Sequence, residues 1–305
     1  MLKSNLNVTV LPTSNIIQVG QKRQTAELIE NFYKKNPFPN YEDFEGIHDI
    51  ENKLKKHQFS LSFKKSVGFG KKIIEVGSGT CQLSIALAVR TNNEIVAFDA
   101  TLESLQLGAA FADKHGVENC CFVNGDLISD PFIENYFDVV WCSGVLHHTE
   151  NAEKGFKTIV KWLKLDGYII IGLYNLYGRM RTVFRQMLYK SLGKSVIGKF
   201  LISVLDPELR KRKQKSRKEA WFKDQYENPV ESLHTADEVL RWFDENGIEF
   251  ISSVPSCHTD SIDYENIFSK KSRGNRFTRF LSQVFMLFAS LDEGGLFLMI
   301  GRKIH

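Results

Sequence analysis

One short stretch carries the residue types and spacing best suited to chemistry, Glu75-Val76-Gly77-Ser78-Gly79. The branched apolar residues that lead into it predict a strand buried on both faces of a parallel sheet, and the apolar residues after it have helical spacing. Gly77 and Gly79 permit backbone angles and close approaches that a Cβ would forbid. Such a strand, turn and helix let a ligand lie against bare backbone at the carboxyl end of the strand, where open α/β sheets bind nucleotide cofactors.

The spacing after the second glycine excludes one class of cofactor. A dinucleotide fingerprint, Gly-x-Gly-x-x-Gly, requires a third glycine at position 82, where the chain has Gln82. Asp99 ends the next predicted strand, and an acid there can accept both ribose hydroxyl protons of a nucleoside. The pattern favours a nucleoside cofactor other than a dinucleotide. A glycine turn that binds no ligand is the alternative.

The elements that must position these residues alternate between strand and helix. This succession predicts an α/β fold with a doubly wound, mostly parallel sheet and right-handed crossovers. The predicted strands are 73–76, 94–98, 120–123, 137–142, 168–174, 248–254 and 295–301.

Five motifs in register resemble those of class I S-adenosylmethionine (SAM) dependent methyltransferases, with a core like methyltransferase types 11, 12 and 25. They are Glu75-Val76-Gly77-Ser78-Gly79, Phe98-Asp99, Gly125-Asp126-Leu127, Phe137-Asp138-Val139-Val140 and Gly144-Val145-Leu146-His147-His148-Thr149. The resemblance covers roughly residues 66–174 and resumes at the C-terminus. Cys81 stands where the family usually has a third glycine, and Gly167 is a single glycine where the family often has two.

The resemblance implies a Rossmann-like sheet of seven strands, the last antiparallel, with helical cap insertions and SAM as the cofactor. It also implies that Asp126 accepts the adenine amino group. The expected cofactor-binding residues are Glu75, Gly77, Ser78, Gly79, Asp99, Ala100, Asp126, Leu127 and Cys142. No metal site is expected.

Methyl transfer from a sulfonium depends mainly on positioning, because the cofactor carries the reactive group. A base helps when the acceptor is a hydroxyl or an amine. His147 and His148 lie at the exit of the fourth predicted strand and are the candidate bases; the alternative is that each bonds backbone in a turn. Tyr174, Asn175 and Tyr177 follow the fifth strand and are predicted to line the acceptor pocket, or else to pack the insert behind them.

Four regions are predicted: an N-terminal arm or lid at 1–65, the cofactor-binding core at 66–175, a basic helical insert at 176–232, and the end of the sheet at 233–305 with a helical insertion at about 257–293. Residues 1–20 are expected to form a loose arm. Asn36-Pro37-Phe38-Pro39-Asn40-Tyr41 is expected to be a rigid apolar segment, either a surface clasp or a lid. The apolar stripe of 277–288 predicts a packed cap helix, with a membrane anchor as the alternative.

The net charge of +4 is unevenly distributed. Segment 176–232 has fourteen Lys or Arg and six Asp or Glu, which makes it +8 and the rest of the chain −4. The cations at 210–218 indicate a solvated face, or a surface for phosphate, nucleic acid or an anionic membrane. The chain has no signal-like N-terminus and no run approaching the ~20 apolar residues of a membrane span, so a cytoplasmic protein is expected. The five cysteines form no C-x-x-C pair and are expected to be reduced thiols, in neither a zinc site nor a disulfide framework.

The predicted insertions and arm would close a pocket at the acceptor side of the sheet, which favours a small-molecule or lipid-like methyl acceptor. The basic run favours RNA, such as tRNA, although no RRM or KH pattern is present. A SAM-binding scaffold without catalysis is the third alternative, because Cys81 departs from the family pattern.

Overall fold

The computed structural model describes residues 1–12, 14–34, 46–193, 195–257, 262–288 and 295–305, without the side chains of 216 and 217. The proline-rich segment at 36–41 therefore lies outside the described residues.

The described strands form one nine-stranded sheet in the order β1-β2-β5-β4-β3-β6-β7-β9-β8. They are β1 (Val8–Val10), β2 (Ile17–Val19), β3 (Lys72–Val76), β4 (Glu94–Asp99), β5 (Cys120–Gly125), β6 (Phe137–Ser143), β7 (Leu163–Tyr174), β8 (Ile248–Val254) and β9 (Leu296–Lys303). Strands β2 to β7 run parallel, and β9 is antiparallel to both β7 and β8. The predicted doubly wound, mostly parallel sheet with an antiparallel last strand is confirmed.

Helices cover both faces of the sheet. They are α1 (Gln24–Lys34), α2 (Ile47–Lys56), α3 (Gln58–Val67), α4 (Gln82–Ala88), α5 (Leu102–Lys114), α6 (Ala152–Trp162), α7 (Met180–Ser191), α8 (Val196–Leu205), α9 (Pro207–Lys211), α10 (Lys215–Tyr226), α11 (Ala236–Glu245) and α12 (Arg276–Phe285). Short 3₁₀ turns lie at Leu127–Ser129 and Leu146–His148. None of the helices in the described part of the chain is both long enough and apolar enough to cross a membrane.

The count of seven strands is too low, and the expectation of a loose arm over residues 1–20 is wrong. Strand β2 pairs in parallel with β5, and β1 pairs antiparallel with β2, so the arm extends the sheet by two strands. Ile16 and Val19 are buried beside β5. Each added strand has only three residues, too few to show a two-residue periodicity, yet they pair the backbone groups that β5 would leave open at the sheet edge.

Two apolar cores, one on each face, hold the sheet between its helices. On one face Phe98 packs edge to face with Phe132 at 5.2 Å between ring centroids and lies against Trp162. On the other face Phe63 of α3 packs on Trp141 at 4.7 Å. The carboxyl ends of β3 to β7 therefore meet at one rigid edge, where the predicted site residues lie.

The basic insert has a small core of its own. Helices α7 to α10 enclose Tyr189, Ile202, Leu209, Trp221, Phe222 and Tyr226. Trp221 and Tyr226 both donate hydrogen bonds to Asp206, at 3.2 and 2.7 Å. The insert is thus an ordered helical unit that begins directly after β7.

Cys81 occupies the place of the family's usual third glycine, and the backbone there has the conformation that glycine favours. It lies at φ +64 immediately before α4 and is fully buried. Gly108 of α5 faces it: a Cβ at 108 would lie 2.8 Å from Cys81 Cβ and Sγ and 2.9 Å from the Thr80 carbonyl oxygen. The cysteine fits because the facing helix has no side chain at this point.

We expect Gly108→Ala to lower the free energy of unfolding by about 1–3 kcal/mol, the usual cost of overpacking a core. Adding Cys81→Gly should restore part of that loss, because it removes the sulfur contact but leaves the Thr80 carbonyl in place. Urea unfolding of the two single variants and the double variant measures the coupling. Gly46→Ala is the control, since its Cβ would meet only His115 Cε1 at 3.9 Å. Strictly additive effects would contradict the Cys81–Gly108 pairing.

Candidate active site

The glycine turn between β3 and α4 is tied to the neighbouring strand through its backbone. The amides of Gly77 and Ser78 both donate to the Phe98 carbonyl oxygen, at 2.7 and 3.2 Å. Gly77 has φ +71, and a Cβ there would lie 2.0 Å from Val145 Cγ2. Gly79 has φ +52. Only glycine fits at position 77, because the backbone of the turn passes directly against Val145, just after β6.

Glu75 braces this turn from inside the sheet. Its Oε2 accepts hydrogen bonds from the Ser84 amide, at 2.8 Å, and from the Ser84 hydroxyl. The carboxyl is buried between β4 and β6, and burial raises its pKa to about 8. Glu75 therefore links β3 to the first turn of α4 and acts as a positioning residue.

Asp99 lies at the carboxyl end of β4 and bonds the glycine turn directly. One carboxylate oxygen accepts the Gly79 amide at 2.7 Å, and the other accepts the Thr101 amide at 2.7 Å. Asp99 and the next residue, Ala100, are partly exposed. Burial raises the pKa of Asp99, against the two amide bonds and the nearby Lys22, which lower it.

Asn124 is a site residue that the sequence analysis missed. Its side-chain amide donates to the carbonyl oxygens of Asp99, at 3.0 Å, and Ala100, at 2.9 Å. It therefore fixes the loop that aims Asp99. The sequence did contain one signal for this residue: Asn124 is a polar side chain at the end of β5, two residues before the predicted site residue Asp126.

The carboxylate of Asp126 is already engaged by the chain. Arg23 donates to it through Nε at 2.7 Å, and the Ile128 amide donates at 2.9 Å. Asp126 is buried under this arginine, which lies between β2 and α1. No sequence signal pointed to Arg23, because its partner is about a hundred residues away along the chain.

The other predicted cofactor residues lie at or near this edge, where Leu127 and Cys142 belong to the apolar core. Ser78 is buried, with its hydroxyl 3.5 Å from Cys81 Sγ. Leu127 is buried in the turn after β5. Cys142 lies beside Val76 in the sheet, and burial raises the pKa of its thiol.

His147 and His148 lie in the 3₁₀ turn after β6, and their surroundings differ. His147 is fully buried, and neither ring nitrogen has a hydrogen-bond partner among the described residues. Burial, with smaller contributions from His148 and Arg179, lowers the pKa of His147 well below its ordinary value, so the imidazole is neutral. His148 Nδ1 lies 2.7 Å from the Val230 carbonyl oxygen, and burial lowers its pKa as well.

Tyr174 forms the floor below His147. The two ring centroids are 3.9 Å apart, and the Arg179 guanidinium covers the tyrosine at 3.4 Å. Arg179 is fully buried and pairs with Glu231 through two nitrogens, at 2.9 and 2.6 Å. The tyrosine hydroxyl accepts from Gln225 at 2.9 Å. The insert therefore supplies the outer half of this cluster.

Asn175 and Tyr177 hold the chain at the start of the insert. The Asn175 oxygen accepts the amides of Tyr177 and Gly178, both at 3.0 Å, and its nitrogen donates to Gln283 of α12 at 2.8 Å. The ring of Tyr177 packs edge to face on Phe280 at 5.4 Å. These side chains fix the turn beside the His147 cluster and join it to α12.

Helix α1 spans the two halves of this edge. Arg23, just before it, bonds Asp126 on the β5 side. At its other end Tyr33 donates to Asp224 of α10 at 2.6 Å, and Lys34 pairs with Glu103 of α5 at 2.8 Å. The glycine turn, the acids and the histidine cluster therefore share one edge of the sheet, with α1 across it.

Residues 69–247, more than half of the chain, match the sequence model of the family described as "Methyltransferase domain". The chain belongs to this methyltransferase family. The recognition of a class I methyltransferase is thereby confirmed, and the strand order described above agrees with it.

Two curated relatives of this chain illustrate the range of similarity. An uncharacterized methyltransferase of Bacillus subtilis, YcgJ, is 29% identical over 33% of this chain and 39% of its own length. The ubiquinone/menaquinone biosynthesis C-methyltransferase UbiE of Stutzerimonas stutzeri is 26% identical over 52% of this chain and 60% of its own length. The chain thus spans less than two thirds of either relative.

A solved structure supports the fold alone. The geranyl diphosphate C-methyltransferase of Streptomyces coelicolor superposes with a TM-score of 0.53 at 12% identity, over 93% of this chain and all of that one. At this sequence identity, the superposition shows only that the two chains share a fold.

The buried Glu75 should make the stability of this protein depend on pH. Its folded pKa, about 8, lies above the ordinary value of 4.5, so between these values the folded state keeps a proton that the unfolded chain has lost. The unfolding free energy should therefore fall as pH rises from 4.5 to 8, by up to about 1.4 kcal/mol per pH unit from this group.

Glu75→Gln keeps an acceptor for Ser84 and removes the titration. Urea unfolding of both proteins from pH 4.5 to 8.5 should show the variant gaining on the parent as pH rises. A difference independent of pH would mean that Glu75 titrates alike in the folded and unfolded chain.

Proposed function

We propose that this methyltransferase uses SAM and transfers its methyl group to a small-molecule or lipid-like acceptor. The observation that supports this most directly is the bond between Gly79 and Asp99, which holds the carboxylate of a partly exposed residue beside a glycine turn. A ribose needs such an acid beside backbone that its adenosine can approach.

The residues present fit this cofactor. Each oxygen of Asp99 accepts one backbone amide, which leaves further lone pairs to accept ribose hydroxyl protons. The turn at 77–79 offers backbone to the amino-acid end of SAM. We propose that Ser78, Ala100, Leu127 and Cys142 form the wall around it, with Glu75 and Asn124 holding the wall in place.

The proposed role of Asp126 requires a movement. Arg23 and the Ile128 amide already occupy its carboxylate, so an adenine amino group would have to replace part of the Arg23 contact. Arg23 is partly exposed, and its other contact is with the exposed Glu150 at 3.2 Å, so the arginine lies at the protein surface just before α1. We propose that α1 is a lid whose opening exposes Asp126 to the adenine.

SAM when bound supplies an electrophilic methyl group on a sulfonium. His147 is our candidate base, because its imidazole is neutral, buried and without a partner on either nitrogen. A neutral imidazole can take a proton from an acceptor hydroxyl or amine. His148 is the weaker candidate, since its Nδ1 already contacts Val230.

The acceptor side is built from rings. His147 and Tyr174 lie in contact, and the region 176–232 together with α1 roofs them through Arg179, Gln225 and the Tyr33–Asp224 bond. We propose that a planar or lipid-like acceptor binds beside these rings when the cover opens. The names of relatives point the same way, since they include a quinone-biosynthesis methyltransferase and a cycloartenol methyltransferase.

We expect Asp99→Ala to weaken SAM binding by about 1–3 kcal/mol, because two charge-assisted hydrogen bonds to ribose are lost. Titration calorimetry with SAM, and with NAD as the competing cofactor class, measures this. Asp113→Ala is the matched control, an exposed aspartate on the adjacent helix α5. Affinity for NAD alone, or an unchanged SAM affinity in the Asp99 variant, would overturn the assignment.

The acceptor class is tested by incubating the chain with tritium-methyl SAM and fractionated cell extract. We expect label in the organic-soluble fraction. Label in RNA would replace the small-molecule proposal with RNA methylation through the basic insert, and no label in any fraction would favour a binding scaffold.

With an acceptor in hand, His147→Phe should lower kcat by about 10²–10⁴-fold, the usual contribution of a general base. Its SAM affinity should be unchanged, because the ring packs on Tyr174 rather than on the glycine turn. His148→Phe is the comparison and should lose less. Equal, small losses in both variants would leave positioning alone as the source of rate.

A further inference from the structure

Helices α7 and α8 of the basic insert direct apolar stripes away from the protein. On α7, Met180, Phe184 and Met187 are exposed, Phe184 to 67%. They recur at helical spacing, on the side opposite the buried Thr182 and Tyr189. A surface helix of a soluble domain normally faces such a stripe toward its core.

Helix α8 also exposes its larger apolar side chains, and to a greater extent than α7. Gly198 and Ile202 are its buried residues, and Gly198 packs against the Tyr189 ring, where a Cβ would lie 3.1 Å away. The opposite face exposes Val196 to 84%, Ile197 to 74% and Phe200 to 69%. The two helices therefore pack on each other by small and buried residues, and present their larger apolar side chains to the outside.

Helix α12 corrects a prediction made from the sequence. Its apolar stripe was expected to pack as a cap, but its buried residues are Arg279 and Gln283. Arg279 pairs with Asp237, and Gln283 accepts from Asn175 and the Ala236 amide. The exposed side chains of this segment are Phe277, Phe280, Phe285 and Phe288. The helix is held by polar bonds and shows its phenylalanines to the outside.

The three segments that carry these apolar side chains are neighbours. The ring of Phe280 contacts Tyr177 at the start of the insert. A Cβ on Gly178 would lie 3.0 Å from Met286 Cβ, just beyond the end of α12. Helix α7 follows immediately and packs on α8. We call the exposed apolar residues of α7, α8 and the 277–288 segment the apolar platform.

Positively charged side chains lie beside the apolar platform. At about 100° per residue, Arg181 and Lys190 lie on the two flanks of the α7 stripe. Both are exposed and have no salt-bridge partner among the described residues, and the insert as a whole carries +8. Apolar side chains flanked by arginine and lysine fit a surface that offers hydrocarbon next to negative charge.

We propose that the apolar platform docks on an anionic lipid surface, with its phenylalanines in the outer acyl region and its cations among the headgroups. A second copy of the chain is the less favourable occupant, because an isologous contact would set two inserts of +8 against each other. The proposal stands apart from methyl transfer, and it would place the Tyr174 cluster, at the root of the insert, near the lipid.

The test is co-sedimentation of the full chain with vesicles, without SAM. Vesicles of phosphatidylcholine alone are compared with vesicles that also contain phosphatidylglycerol. We expect binding to the anionic vesicles, weakened by added salt, and little binding to the neutral ones.

The double variant Phe184→Ser/Phe200→Ser should bind anionic vesicles at least about tenfold more weakly, because two buried rings are lost. Phe69→Ser is the matched control: Phe69 is exposed to 69% just before β3, at the opposite edge of the sheet. Arg181→Gln/Lys190→Gln should reduce the salt dependence. Its control is Lys55→Gln/Lys56→Gln, which removes two exposed lysines of α2. Circular dichroism and thermal unfolding verify that each variant is folded.

Three results would overturn the proposal. The first is absence of binding to anionic vesicles, and the second is equal loss of binding in the Phe69 control and the platform variant. The third is a stable dimer, detected by sedimentation equilibrium, that Phe184→Ser/Phe200→Ser dissociates, since a second copy would then cover the platform. None of these results bears on whether the chain binds SAM.

Discussion

The bond from the Gly79 amide to the Asp99 carboxylate is the contact on which the geometry of the site depends. It joins the ends of two adjacent parallel strands, and each partner is itself held: the turn by Phe98 and Glu75, the aspartate by Thr101 and Asn124. Asp99 as a residue is only partly buried, and burial of its carboxyl raises the pKa of that group. The sheet therefore delivers a preorganised acceptor beside bare backbone.

The parallel core could be predicted because its signals are local and repeated. The glycine turn, Asp99 and the exit of β6 each follow a buried strand, and parallel strands bring their carboxyl ends to one edge. The short strands β1 and β2 were not predictable in this way. Each of these strands has only three residues, and they form strands because β2 pairs with the edge of β5, about a hundred residues later in the chain.

Other features depend on contacts that no local pattern encodes. Arg23 on Asp126, and Gln225 on Tyr174, are pairs between distant segments. The apolar periodicity of helix α12 predicts a face packed on the core. The face that packs on the protein instead contains Arg279 and Gln283, because their side chains have hydrogen-bond partners there. The left-handed backbone at Cys81 is visible only in three dimensions, where Gly108 makes room for it.

The pairing of β2 with β5 also has a consequence for the order in which the chain assembles. Strand β2 cannot take its place in the sheet until residues 120–125 have been synthesised and β5 has joined the sheet. Contacts so distant in sequence are entropically slow to form, so this edge completes late. Helix α1 follows β2 in the chain, so we expect its position across the carboxyl edge of the sheet to be set at the same late stage. We therefore expect the β2 edge and the start of α1 to open together, so that loosening this edge would move Arg23 away from Asp126 while the parallel core stays folded.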